Sequence, residues 1–99
     1  MTESVTVDGR YNLRRLKDGR GITGASYLCA EHPDGASSAM GEVRVDHCVL
    51  VGKLYGYSRT TPVKSILSVE DKDGRRDVLF ETQNNTYLLT GEVPKDKTE

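Results

Sequence analysis

Val63-Lys64-Ser65-Ile66-Leu67-Ser68-Val69, then Glu70-Asp71-Lys72-Asp73-Gly74, then Val78-Leu79-Phe80-Glu81-Thr82, is the stretch that decides the fold class. Val63, Ser65, Leu67 and Val69 alternate with other residues, as do Val78, Phe80 and Thr82. A period of two marks a strand with one buried face. Between the two runs, residues 70–74 read as a turn closed by Asp73-Gly74. Asp tolerates the left-handed backbone of a tight reversal, and Gly adopts it without steric cost. Gln83-Asn84-Asn85 then turns the chain into a third strand, where Tyr87 and Leu89 share a face. The C-terminal third is therefore an antiparallel meander.

Working outward, the same pair recurs at Asp8-Gly9, Asp18-Gly19 and Asp34-Gly35, and three more reversals are expected. Val5 and Val7 lead into the first, and Tyr11 and Leu13 share a face of the next strand. Arg14-Arg15-Leu16 breaks the alternation, through either a bulge or a short helical turn. A strand follows over 22–30, then the longest loop, 31–41, with room for a short helix over 36–40. Residues 42–59 are rich in strand formers, yet at about 3.3 Å per residue a single strand would run about 60 Å. A corner at Gly52 or Gly56 is expected. Thr60-Thr61-Pro62 should interrupt pairing, with Pro62 at an edge or a bulge.

Composition narrows the architecture. Hydrophobic residues make up 35% of the 99, with no Trp, one Phe and five Tyr, so the core is thin and mostly aliphatic. The expected fold is all-β: about six strands in a small antiparallel barrel or strongly curved sheet, SH3-like or OB-like. It forms a single domain over 1–93, with residues 1–4 frayed and a flexible tail over 94–99. The balance of 14 basic against 15 acidic residues leaves no global field to steer the chain to nucleic acid or membranes. No apolar run approaches a bilayer span and no secretory signal opens the sequence, so a cytoplasmic protein with reduced thiols is expected. A Cys29–Cys48 disulfide would belong to an extracellular setting.

Three groups of residues could carry chemistry. Lys53, Tyr55, Tyr57 and Arg59 would form one surface of an extended strand, two aromatic rings bracketed by cations. Single-stranded nucleic acid uses such a surface, with bases on the rings and phosphates on the cations. The plainer reading is a tyrosine ladder with solvated charged ends. Arg10, Arg14, Arg15, Lys17 and Arg20 make a basic cluster that would serve phosphates, dock on an acidic protein, or simply charge an edge strand. Cys29, His32, His47 and Cys48 include zinc-ligand types, but His47 and Cys48 are adjacent and should face opposite ways. Cys48 among Val49, Leu50 and Val51 reads as a small buried hydrophobe. No metal, cofactor or catalytic residue is assigned, and no enzyme activity is expected.

Two resemblances add expectations. Lys53-Leu54-Tyr55-Gly56-Tyr57 resembles the Lys-Gly-aromatic-Gly-aromatic core of cold-shock domains, small barrels that bind single strands. Leu54 replaces the family's Gly, and its second aromatic-His motif is absent. The segment from Thr60-Thr61-Pro62-Val63 through Val78-Leu79-Phe80 to Asn84-Asn85-Thr86-Tyr87-Leu88-Leu89 is similar to small uncharacterised β proteins of bacteria and phages. That similarity implies a cytosolic β meander and names no active residue. The function expected is protein binding, as an accessory or inhibitory factor of bacterial or phage origin, with homodimerisation through an edge strand open to it. The alternative is single-stranded nucleic-acid binding through Lys53, Tyr55, Tyr57 and Arg59.

Overall fold

A computed structural model describes residues 4–94. Expectations for residues 1–3 and for 95–99 of the tail lie outside the described residues. Ten strands follow in order: β1 (Ser4–Thr6), β2 (Asp8–Arg15), β3 (Gly21–Ala25), β4 (Tyr27–Glu31), β5 (Ser38–Met40), β6 (Glu42–Arg44), β7 (Cys48–Lys53), β8 (Gly56–Lys72), β9 (Arg75–Thr82) and β10 (Thr86–Glu92). Among the described residues there is no helix, and none is long and apolar enough to cross a membrane. The all-β expectation therefore holds, and Ser4, expected to fray, pairs with Arg44.

Eight strands form one antiparallel sheet in the order β3-β2-β10-β9-β8-β7-β4-β5, and β1 pairs with β6 in a small second sheet. The count of six is corrected to ten because kinks divide the longer runs. Ser26 separates β3 from β4 and donates its N–H to Gly52 O at 2.8 Å. Gly41, at φ +72, separates β5 from β6, and Asp46-His47, with Asp46 at φ +69, separates β6 from β7. Nor is the sheet a closed barrel. Among the described residues β3 ends the ladder with β2 as its sole strand partner, although the chain passes from it straight into β4 near the other end. The short helix for which residues 36–40 left room does not form; the open edge of β4 recruits Ser38–Met40 as β5, with Ala30 opposite Ala39.

Three of the four Asp-Gly pairs are reversals. The tightest joins β8 to β9 through Asp73 and Gly74, whose φ values of 55° and 82° suit a two-residue hairpin closed by Lys72 and Arg75. The turn expected over 70–74 thus shrinks to two residues. Asp8-Gly9 is a correction: it opens β2 rather than turning, since the chain from Val7 is already held by Gly41 O.

β8 runs unbroken through Thr60-Thr61-Pro62, where interruption was expected. It does so by bulging: between Leu50 and Cys48 the partner strand advances from Arg59 to Pro62. The Thr60 hydroxyl repairs the ladder, accepting Val49 N–H at 3.0 Å and donating to Thr61 O at 2.7 Å. Thr60→Val would leave the buried Val49 N–H without an acceptor, and a loss of about 1–3 kcal/mol is expected in urea unfolding. Two further shifts, between Val63 and Ser65 and between Ile66 and Ser68, break the expected face. Val63 stays buried and Ile66 joins the core face opposite Phe80, while Leu67, in the second shift, is exposed. Val69 returns to the core face opposite Val78, though it is itself 37% exposed.

The core is aliphatic around one ring. Leu13, Leu28, Val49, Val51, Val63, Val78 and Leu89 share one buried cluster with Phe80, which stacks on Tyr87 at 5.4 Å. Tyr11 closes one end and donates its hydroxyl to Val7 O at 2.8 Å. Burial first, then Asp8 and Glu92, push its phenol above the usual range.

Candidate functional site

The β7–β8 hairpin has a two-residue loop, Leu54-Tyr55, closed by Lys53 opposite Gly56. The corner therefore falls between the two glycines expected to make it. This turn overturns the single Lys53-Tyr55-Tyr57-Arg59 surface: Tyr55 leaves the strand at the tip, and only Tyr57 and Arg59 share a strand face. Unlike Asp73-Gly74, neither Leu54 nor Tyr55 has a positive φ. Twist-matched turn geometry does not account for these residue types. Leu54 is 83%, Tyr55 95% and Tyr57 69% exposed.

The basic cluster also divides. Arg14 lies opposite Leu88 and Arg15 opposite Tyr87, so the two point to opposite faces of β2. Arg15 reaches an open groove of about 440 Å³, together with Arg20, Ile22, Tyr57, Ser58, Arg59 and Tyr87. Four residues singled out from sequence (Arg15, Arg20, Tyr57 and Arg59) thus meet in one place. Arg14, Lys53 and Tyr55 stand outside it. Tyr87 was read only as part of a strand face; its place beside Arg15 depends on β10 pairing with β2, a non-local contact.

Two guanidiniums of the groove already face carboxylates. Arg15 donates twice to Asp18, at 3.0 and 2.6 Å. Asp18 raises the Arg15 pKa most, with Tyr87 adding to it. Arg15, then the Arg20 N–H, hold the Asp18 carboxyl well below the usual range. Arg59 donates to Glu31 at 2.8 Å, which is the main reason its own pKa is raised. Arg20 is the freest, with its side chain 82% exposed and 3.9 Å from Asp18.

A second groove of about 370 Å³ is lined by Tyr27, Glu31, Leu50, Tyr57 and Arg59. The Tyr27 ring crosses Gly52, occupying the space that a Cβ there would need. Tyr57 and Arg59 therefore border both grooves.

The thiols and imidazoles are set apart from these features. Cys29 and Cys48 are buried free thiols, and burial chiefly pushes the Cys29 thiol up. Cys48 is buried as its apolar surroundings suggested. The His32 and His47 rings meet edge-on at 5.6 Å, with His32 Nδ1 against Asp34 at 2.7 Å and His47 Nδ1 against Val45 O at 3.0 Å. Among the described residues, no three His, Cys, Asp or Glu side chains converge as metal ligands.

Comparison with protein-family models, with curated proteins and with solved structures finds no match.

Proposed function

We propose that this domain is a non-enzymatic module that binds another protein through the β7–β8 hairpin and the grooves flanking Tyr57 and Arg59. One observation carries the reading. The two hairpins have loops of equal length, but one uses Asp73-Gly74 at positive φ and the other places exposed Leu54 and Tyr55 at its tip. Side chains that serve neither turn geometry nor burial, and that project beside an exposed Tyr57, form the kind of apolar and aromatic patch that partners cover. Asp18, held charged by Arg15, is the opposite of what a general acid needs. A small accessory or inhibitory factor of bacterial or phage origin would act in this way.

Single-stranded nucleic acid is the competing reading, favoured by Tyr57 and Arg59 on one strand face. Two of the three groove guanidiniums face Asp18 and Glu31, which works against a polyphosphate.

Affinity capture from a bacterial lysate, run in parallel with wild type and Leu54→Ser/Tyr55→Ser, separates the readings. A protein retained by wild type and reduced about tenfold or more by the variant is expected, with thermal stability unchanged because both positions are exposed. Equal retention by both proteins would count against the hairpin. Salt-sensitive retention of wild type on oligothymidylate would instead favour nucleic acid.

A further inference from the structure

We infer that the free edge of β8 receives an extended acidic segment of the partner protein, added as a strand beside Tyr57 and Arg59. This rests on the protein-binding reading and specifies how the partner is held. β7 covers one side of β8 from Gly56 to Arg59, whereas β9 begins to pair only at Val63. Between these limits, among the described residues, no strand pairs with the other side of β8. The gap of about six residues is about 20 Å long, enough for a short strand.

The direction of the unused backbone groups follows from the register. Gly52 O accepts the Ser26 N–H at 2.8 Å, so Gly52 turns its hydrogen-bonding groups towards the β3–β4 side. Its other neighbour, Tyr57, is then in a non-hydrogen-bonded pair, and alternation puts Arg59, opposite Leu50, in the next one. The N–H and C=O of both Tyr57 and Arg59 therefore aim away from β7. The larger groove lies on the core-facing side of this edge and the smaller on the solvent-facing side. Successive side chains of an added strand would enter the two grooves alternately, as in recognition by strand addition.

Charge selects the occupant. Arg15, Arg20 and Arg59 face only Asp18 and Glu31, which leaves the exposed Arg20 guanidinium in excess. A carboxylate-bearing peptide satisfies one excess cation and the free backbone groups together. A polyphosphate strand would leave those backbone groups unused and press against two carboxylates.

Selection of a randomised octapeptide library on the immobilised protein supplies the probe. Enrichment of peptides that alternate acidic and apolar residues is expected. The best of them should bind about tenfold or more weakly once alternate amides are N-methylated, because strand addition depends on main-chain hydrogen bonds. Arg20→Glu should weaken it by about tenfold as well. Tyr57→Pro removes an outward N–H while sparing the β7 ladder, and should abolish binding. Should that variant not fold, the N-methylated peptide carries the same test. Peptides that bind equally well after N-methylation, or that ignore Arg20→Glu, would overturn strand addition and leave protein recognition standing. No enrichment at all would overturn both, as would displacement of the peptides by oligothymidylate. Wild-type dimers in light scattering that Tyr57→Pro dissociates would assign the edge to a second copy and overturn the acidic-peptide occupant.

Discussion

Phe80→Ala is expected to lower the unfolding free energy by about 3–5 kcal/mol, the range for removing a buried aromatic ring. Phe80 is the chain's one phenylalanine and has no exposed surface. It lies opposite Tyr87 on β10 and Ile66 on β8, with its ring nearly parallel to that of Tyr87 at 15°. Its other core companions, among them Val63, Val78 and Leu89, are short aliphatics held by their own strands, so they cannot swing in to fill the space. A domain of this size has about 5–15 kcal/mol in total. Urea unfolding followed by circular dichroism should therefore show a midpoint moved far towards zero denaturant. Phe80→Leu, which keeps most of the volume, should cost much less. A loss below about 1 kcal/mol for the alanine variant would mean that the two halves of the sheet close on each other without this ring. The core would then be wrongly placed.

How much of this was legible beforehand depended on distance along the chain. Val78, Phe80 and Thr82 were correctly assigned to one buried face because β9 keeps strict alternation against β10. Asp73-Gly74 was legible as a hairpin because its information lies in two adjacent residues. On β8, the same rule of alternation misplaced Leu67, because one bulge puts Ile66 on the core face in its stead and a second returns Val69 to that face opposite Val78, and no residue type announces either. Within 36–40, which has little intrinsic preference, residues 38–40 took their strand conformation from the edge of β4. At the site, Tyr57 and Arg59 share a face as two-residue spacing demands, whereas Tyr55 was lost to a turn that lacks turn residues. That Arg15 and Tyr87 stand against them is set by sheet order, which no local pattern encodes.

Gly21→Ala should be nearly as damaging, and it ties the stability of the fold to the groove. Gly21 lies opposite Arg14 on β2, and its φ is not in the left-handed region. Space is the constraint. A Cβ would run into the Leu13 carbonyl oxygen, come within 2.7 Å of the Leu13 carbonyl carbon and within 2.9 Å of the Arg14 Cα. Those atoms are all backbone, so no side chain can rotate away and β3 must withdraw from β2. Overpacking costs of about 1–3 kcal/mol are typical where side chains can adjust, and a loss of about 3 kcal/mol or more is expected here. Gly24→Ala is the instructive comparison: its φ of +65° strains any other residue, yet nothing lies within 4 Å of the added Cβ. Backbone strain alone should cost about 1–2 kcal/mol there. The two variants also differ in reach, because Gly21 and Ile22 line the larger groove and Gly24 does not. Amide chemical shifts of Tyr57, Ser58 and Arg59 should therefore move in Gly21→Ala and stay near wild type in Gly24→Ala. If Gly24→Ala proved the more destabilising of the two, β3 would not lie against β2 as closely as described. The wall of the groove formed by Gly21 and Ile22 would then have to be sought elsewhere.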